Sequence, residues 1–166
     1  MKKRPFEPDK EAIIGEFLAY LEEKWQVSGE EIQQILEKKT IGSQIPISVF
    51  STDALTALET ACKYLHENLQ LTFSQAARLL NRDPRLIATT CHRAHHKFPK
   101  RFVPKPSSFS ITPSLFKNRT LSPLENLVFY LKENRQLTFH TIALLLHRDD
   151  STIWTVYQRA KKKHEA

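Results

Sequence analysis

The sequence predicts an all-α protein in which one unit of three helices occurs twice. Residues 55–97 and 121–163 align without a gap at an offset of 66 residues, and 21 of the 43 aligned positions are identical. The chain has only three glycines and few runs of β-branched residues, which favours helices over strands. Because internal repetition fixes an architecture, the fold class follows before any single motif is considered.

The repeat divides the 166 residues into four parts. We expect a degenerate acidic helical unit at 1–44, a first repeat at 45–97, a basic proline-rich linker at 98–120 and a second repeat at 121–166. Four prolines exclude a long helix from the linker. Its apolar residues should pack the linker against the helices; these are Phe109, Ile111, Leu115 and Phe116.

The first helix of each copy begins at a capping position. In the second repeat, Ser122 and Glu125 have the spacing of a capping box, with Pro123 at the first helical position. Apolar residues then recur every three or four positions and predict an amphipathic helix that ends near Glu133. This stripe is Leu124, Leu127, Val128 and Leu131, matched by Leu58, Ala61, Cys62 and Leu65.

A shorter helix, a tight turn and a third helix follow. Thr72 and Thr138 are predicted to cap the second helix, and Asp83 and Asp149 the third. Asn81 and His147 lie between these helices, and both residue types tolerate the left-handed conformation of a tight turn. This order is typical of a helix-turn-helix, so the fold class becomes tandem three-helix helix-turn-helix units with a degenerate helical N-terminal unit.

The N-terminal unit resembles a decayed third copy. Tyr20–Ser28 is similar to Tyr64–Thr72, and an apolar pattern follows it as in the full repeats. The pattern stops at Lys39, where a third helix should begin, so this unit lacks a helix that could read DNA. Its acidic composition favours contact with a protein partner through residues 1–44.

The charge of the chain is uneven. The net charge is +7, yet residues 1–44 carry −2, residues 45–104 carry +4 and residues 105–166 carry +5. Basic repeats suggest a polyanionic partner, and charge alone leaves nucleic acid, a membrane surface or an acidic protein open. No apolar run approaches the ~20 residues that span a bilayer, so we expect no membrane partner.

Cellular location is suggested by the cysteines and by the N-terminus. Cys62 and Cys91 have Val128 and Tyr157 as counterparts, a pattern of small buried thiols and not of a disulfide framework. The first residues are basic without a following apolar stretch, which excludes a signal peptide. We expect a reducing compartment, that is, a cytoplasmic, nucleoid-associated protein.

Both copies share the passage LTF-x-x-x-A-x-LL-x-RD-x-x-x-I-x-T-x-x-x-RA-x-x-K. It resembles the helix-turn-helix of the sigma-factor region 4 superfamily, which includes LuxR-type domains. The residues that carry the likeness are Leu71, Thr72, Ala77, Leu80, Ile87, Arg93, Ala94 and Lys97, then Leu137, Thr138, Ala143, Leu146, Ile153, Arg159, Ala160 and Lys163. The resemblance implies binding of double-stranded DNA and transcriptional regulation.

The resemblance has two departures. Gln75 and Thr141 stand where that superfamily usually has Glu, and Asn81 and His147 stand where its turn usually has Gly. The upstream sigma regions that grip polymerase and melt DNA are also absent from this sequence. A complete sigma factor is therefore not expected.

The outward face of each third helix is the candidate DNA-binding surface. The inward stripes are Ile87, Thr90, Cys91 and Ala94, then Ile153, Val156, Tyr157 and Ala160. The opposite faces carry Arg85, Leu86, Ala88, Thr89, His92, Arg93 and His96, then Ser151, Thr152, Trp154, Thr155, Gln158, Arg159 and Lys162. Because these two sets differ, the sequence predicts an asymmetric site with two unlike halves, read by one chain.

Four of these residues have the chemistry for direct base readout. Arg85 could read guanine through a bidentate pair, and Gln158 could read adenine. Thr89 and Thr155 suit a phosphate or a thymine methyl group. The alternative for all four is a solvated helix face.

Other outward residues have competing roles that the sequence leaves open. Arg93 and Arg159 could contact phosphate or form an intradomain salt bridge. Lys161–Lys163 could bind phosphate or be a frayed basic terminus. Trp154 could pack on a neighbouring unit, which is the preferred expectation, or lie against the DNA backbone. Arg82 and Arg148, in the turns, are expected to be structural.

Four other functions are possible in principle: zinc binding, catalysis, RNA binding and protein interaction. Cys91, His92, His95 and His96 suggest zinc, but Cys91 faces inward and His92 outward, so no metal and no cofactor are expected. No catalytic constellation stands out, so an enzyme is not expected. An RNA binder lacks stacking aromatics beyond Trp154. A protein-interaction module built on the repeats is the other alternative.

Overall fold

The computed structural model describes residues 10–31, 44–106 and 109–165. The chain divides into two compact units, Met1–Gly42 and Ser43–Ala166. The described residues are mostly helical, which confirms the coarse fold class, and the departure from it is one short antiparallel strand pair. Within this part of the chain, no helix has the length and apolar character needed to span a membrane.

The first unit contains the helix α1, which spans Lys10–Trp25. The chain turns at Gln26, whose φ of 52° is left-handed. The backbone N–H of Ser28 then donates to the Glu31 carboxylate at 3.0 Å, and the N–H of Glu31 donates to the Ser28 hydroxyl at 3.2 Å. Such a reciprocal pair is a capping box, the usual start of a helix.

The same local features follow the first helix of both full repeats. Gln70 and Gln136 are left-handed, with φ values of 55° and 53°. Thr72 then begins the next helix of the first repeat with a capping box that Gln75 closes. The N-terminal unit thus has the same left-handed residue and capping box after its first helix, as far as residue 31. Its interpretation as a degenerate copy stays a prediction. Its predicted end at Lys39 lies outside the described residues.

The second unit contains both repeats, which have the same order of elements. The first repeat consists of β1 (Ile45–Pro46), a 3-10 turn (Ile47–Phe50), α2 (Ala57–Lys63) with a π-helical extension (Tyr64–Asn68), α3 (Phe73–Leu80) and α4 (Pro84–Lys97). The second consists of β2 (Ser110–Ile111), a 3-10 turn (Pro113–Lys117), α5 (Pro123–Glu133), α6 (Phe139–Leu146) and α7 (Asp150–His164). The structural copy therefore begins inside the predicted linker, before residue 121.

The predicted caps are present, with one difference between the repeats. Thr56 and Ser122 form capping boxes at α2 and α5. Asp83 accepts a hydrogen bond from the backbone N–H of Arg85 at 2.8 Å. Asp149 has the N-cap position of α7, but its side chain makes no capping bond. There the neighbouring Asp150 pairs with His140 of α6 at 3.1 Å instead.

The apolar linker residues pack against the helices, as expected. Ile111 and Phe116 are buried in the core of the second unit, and Phe109 and Leu115 pack against it. The ring of Phe116 lies 6.0 Å from that of Phe50, its counterpart in the first repeat. The two repeats therefore share one core.

Asn81 and His147 end α3 and α6 in the left-handed conformation, with φ of 52° and 51°, as predicted. A residue with a Cβ is strained there, and His more than Asn. We expect His147→Gly to raise the free energy of unfolding by about 0.5 to 1 kcal/mol, since relief of strain outweighs the entropy of glycine. The exposed His147–Asp53 contact at 3.5 Å that is lost contributes little.

Urea unfolding of the wild type, His147→Gly and Asn81→Gly measures the change in the free energy of unfolding at each turn. The Asn81 variant should change less, because Asn tolerates the left-handed region. A β-branched control, His147→Val, should be destabilised. Equal stability of the Gly and Val variants would contradict the strain at this turn.

Candidate nucleic-acid interface

Helices α4 and α7 each present an exposed polar stripe at helical spacing. Equivalent positions of the two stripes are Arg85 and Ser151, Thr89 and Thr155, His92 and Gln158, and His96 and Lys162. All eight residues are exposed. The opposite face of α4 is buried, as predicted, at Ile87, Thr90, Cys91 and Ala94. On α7, Ile153 and Ala160 are buried while Val156 and Tyr157 are half-buried.

Residues that flank the stripes share this exposure, with one exception. The exposed ones are Leu86, Arg93, Thr152, Trp154 and Arg159, and the half-buried one is Ala88. Trp154 keeps 53% of its surface exposed. The main contacts between the repeats are made by the strands, by α2 with α5, and by α3 and α6 with the 3-10 turns. The two roles considered for Trp154, packing on a neighbouring unit and contact with the DNA backbone, stay predictions. The indole belongs to the open face of α7.

Arg93 and Arg159 are exposed on the third helices. Neither guanidinium forms an ion pair within the described parts of the chain. The salt-bridge alternative from the sequence therefore finds no support, and both side chains stay available to an anion.

The last lysines of α4 and α7 have a different role. Lys97 lies 2.8 Å from Glu59 of α2, and Lys163 lies 2.8 Å from Glu125 of α5. Both glutamates are buried, and each also closes the capping box of its own helix. Lys163 is thus a structural residue, which corrects its inclusion among phosphate-binding lysines. Lys162 stays exposed, and Lys161 reaches only the exposed Glu165, at 3.8 Å.

These ion pairs fix the orientation of the exposed stripes. Burial raises the pKa of Glu59, but hydrogen bonds from Lys97 and Thr56 outweigh it and leave the pKa below 4.5, its ordinary value. The same opposing effects, with Lys163 and Ser122 as donors, lower the pKa of Glu125. Each repeat therefore anchors its third helix to its first through a glutamate that is charged at neutral pH.

A lowered carboxyl pKa predicts acid instability. The stabilisation from Glu59 and Glu125 is fully present above pH 4.5 and is lost as the pH falls through their lowered folded values. Thermal unfolding followed from pH 7 to pH 3 should show the loss. The double variant Glu59→Gln/Glu125→Gln should be less stable at pH 7 by about 2 kcal/mol or more, and its stability should depend less on pH. An unchanged pH dependence would contradict the assignment.

Two threonines of the stripes have a defined hydrogen-bonding state. The hydroxyl of Thr89 donates to the Arg85 carbonyl at 3.0 Å, and that of Thr155 donates to the Ser151 carbonyl at 2.8 Å. Their hydroxyl protons are therefore used within the helix. Of the two roles considered from the sequence, contact with an apolar group such as a methyl is the one that needs no rearrangement.

The turn arginines reach across to the other repeat. Arg82 donates to the carbonyl of Phe116 at 3.5 Å, and Arg148 donates to the carbonyl of Leu55 at 3.4 Å. Their predicted structural role is confirmed. The sequence did not indicate the partner, because those carbonyls are distant along the chain.

Equivalent glutamates at the ends of the first helices make different contacts with the third helices. Glu67 pairs with His95 of α4 at 3.1 Å. Glu133 accepts a hydrogen bond from the Tyr157 hydroxyl at 2.6 Å, and this bond raises the pKa of Tyr157. His95 is therefore held against the end of the first helix, next to His92 of the stripe.

The arrangement gives no support for a metal centre. Within the described ranges, no three His, Cys, Asp or Glu side chains are grouped to hold an ion. Cys91 is buried and His92 is exposed, as their positions on the helix predict. Cys62 and Cys91 are free thiols in the core.

One exposed cation was missed by the sequence reasoning. Arg78 lies on the exposed face of α3, the helix that precedes the turn, and its counterpart Leu144 is 67% exposed. The sequence did offer an indication of this exposure, because Arg78 lies among the apolar residues of a short helix whose other face is predicted to be buried. Such a helix crosses the backbone in DNA-reading motifs, so the two repeats differ there as well.

Comparison with known proteins gives no relative for this chain: no family model, no curated protein and no solved structure matches it. The resemblance to sigma-factor region 4 therefore stays a prediction that rests on the quoted residues.

Proposed function

We propose that this protein binds double-stranded DNA sequence-selectively and acts as a transcriptional regulator in the cytoplasm. Each repeat acts as a helix-turn-helix unit, with α4 and α7 as recognition helices. The two helices read an asymmetric, two-part site. The protein works by binding alone, without catalysis, metal or cofactor.

The observation that carries this proposal is the pair of matched exposed stripes. Both stripes combine polar and basic side chains, and both lie on helices that a lysine anchors to a buried glutamate of the core. A helix held in this way can enter a major groove without losing its own packing. The net charge of +7 supplies attraction to a phosphate backbone.

The position of a residue on the recognition helix decides whether it contacts a base edge or a phosphate. Arg85 and Gln158 are exposed and suit guanine and adenine. Thr89 and Thr155 suit thymine methyl groups, since their hydroxyls are bonded within the helix. Cations nearer the ends of the helices contact phosphates; these are Arg93, Arg159, Lys161 and Lys162.

Alanine at a base-reading position should relax specificity at one base pair. We expect Arg85→Ala and Gln158→Ala each to reduce discrimination by about 1–3 kcal/mol at a different position of the site. Competition binding with single-base-pair variants of the selected site measures this. Loss of affinity that is uniform over all variants would assign the residue to the backbone instead.

Selection from random duplex DNA at ~150 mM salt tests the function itself, because purely electrostatic binding is weakened at that level. A recovered motif supports the proposal. Binding without a motif, which disappears on adding salt, would contradict it. A parallel titration with single- and double-stranded RNA separates the RNA-binding alternative, which predicts that RNA competes better than the selected duplex.

A protein-interaction module is the second candidate, and α1 carries the observation that favours it. Ile13, Ile14, Phe17 and Tyr20 are all about half exposed on this helix. Their aligned positions in the repeats include Ala57 and Leu127, which lie where α2 packs on α5. A second copy of this chain presents the same kind of face and would fit it.

Sedimentation of the full chain beside Phe17→Ser tests this candidate. A dimer that the substitution dissociates, with duplex affinity per chain retained, would support it. A monomeric wild-type protein would remove the second-copy contact and leave the DNA proposal unaffected.

A further inference from the structure

The contacts between the two repeats are reciprocal. Strands β1 and β2 pair antiparallel, with Ile45 opposite Ile111, and these are equivalent residues at the offset of 66. Helices α2 and α5, also equivalent, pack against each other. The rings of Phe50 and Phe116, again equivalent, are in contact.

The remaining contacts come in exchanged pairs. Helix α3 of the first repeat packs on the 3-10 turn of the second, and α6 of the second repeat packs on the 3-10 turn of the first. Arg82 and Arg148, the equivalent turn arginines, each donate to a carbonyl of the other repeat. A head-to-tail tandem uses two different surfaces, whereas exchanged contacts between like surfaces are the mark of a twofold axis.

This twofold relation is part of the core. Ile45, Ile111 and Phe116 are each no more than 1% exposed. Loss of contacts buried to this degree costs several kcal/mol, so the relative orientation of α4 and α7 is set by folding and not by a tether. The repeats form one rigid pair within the second unit, in contrast to modules joined by the linker that the sequence predicted.

We propose that the two halves of the DNA site are inverted with respect to each other and separated by a fixed spacing. The inference rests on the proposed function. Recognition helices related by a twofold axis read opposite strands in opposite directions, so the site mirrors the symmetry of the protein. A single chain thereby reads two half-sites of opposite orientation.

The side chains of the two stripes predict that the half-sites differ in sequence. Three of the four stripe positions differ between α4 and α7, namely Arg85 and Ser151, His92 and Gln158, and His96 and Lys162. Only the threonine position is common to both. The halves are therefore inverted in orientation and unlike in sequence, except for one shared base-pair preference.

Rearranged versions of the selected site test orientation and spacing. The full-length variant Ser151→Arg/Gln158→His/Lys162→His gives both stripes the same side chains, so its selected site should have two like halves whose orientation can be read directly. For this variant we expect the inverted arrangement to bind at least about tenfold tighter than the same two halves in direct orientation. Inserting five base pairs between the halves turns one of them about half a helical turn away, and this should cost a similar factor. Flexibly joined modules would tolerate both changes.

Each outcome separates this inference from the function on which it rests. A two-part motif whose halves lie in direct orientation, or whose spacing varies freely, would overturn the inverted arrangement and leave DNA recognition standing. A one-part motif would do the same, because only one helix would then be reading. Selection without any motif would overturn both.

Discussion

Replacing Lys161 and Lys162 with glutamate is expected to weaken binding to the selected duplex at least about 30-fold at ~0.15 M salt. Each lysine that leaves a phosphate removes close to one unit from the dependence of log K on log salt. Two such losses at this salt concentration give the expected factor, and the added negative charge increases it. Both side chains are exposed, and among the described residues the ion pair that involves them is that of Lys161 with the exposed Glu165.

The choice of these two lysines follows from the register of α7. Lys163 is bound to the buried Glu125, so reversing its charge would unfold the helix end and mimic a loss of DNA contact. Leaving Lys163 in place keeps the fold. An unchanged melting temperature of Lys161→Glu/Lys162→Glu is the check on that point.

Fluorescence anisotropy over a range of salt concentrations measures the effect. The matched control is Lys100→Glu/Lys105→Glu, which makes the same change of net charge at exposed positions outside α4 and α7. The control should lose only a few-fold in affinity, with a nearly unchanged salt slope. Equal losses in both variants would mean that net charge alone drives binding. Full affinity of the Lys161/Lys162 variant would remove α7 from the interface.

The local features of the fold were predictable because they depend on neighbouring residues. Capping by Thr72, the left-handed turn at Asn81 and the start of α4 at Asp83 all follow from side chains within four positions. The outward stripes were predictable for the same reason, since helical spacing and an apolar stripe determine which face is exposed.

The relation between the repeats could not be read in this way. Arg82 finds its acceptor on Phe116, 34 residues away, and Arg148 finds its acceptor on Leu55, 93 residues away. The sequence repeat extends upstream of residue 121, because Ile45, Ser48 and Phe50 recur as Ile111, Ser114 and Phe116. It did not indicate that these two segments pair with each other across the repeats. Pairing of distant segments depends on shape, which no periodicity reports.

The distinction among three consecutive lysines was hidden for a related reason. Lys161, Lys162 and Lys163 look alike in sequence, and only the last reaches a carboxylate on α5. The repeat does distinguish Lys163 from the other two lysines, because both it and its partner are conserved between the copies. Lys97 and Glu59 occupy the positions equivalent to Lys163 and Glu125, so the pair is present in both copies.

Truncating Phe116 to alanine is expected to lower the free energy of unfolding by about 3–5 kcal/mol, the range for a fully buried phenylalanine. Phe116 has no exposed surface, and its 3-10 turn packs both on α5 of its own repeat and on α3 of the other. The cavity would therefore open at the contact between the repeats. Both repeats should be destabilised together.

Hydrogen exchange of the backbone amides under native conditions distinguishes this cooperative loss from a local one. Amides of α3, in the first repeat, should lose protection along with those of α5 and α7. The control is Leu115→Ala on the same turn, where the side chain is only half-buried and the loss should be smaller. If Phe116→Ala exposed α5 to α7 while α3 and α4 kept full protection, the repeats would be independent modules. The twofold core, and with it the fixed inverted spacing of the DNA site, would then be wrong.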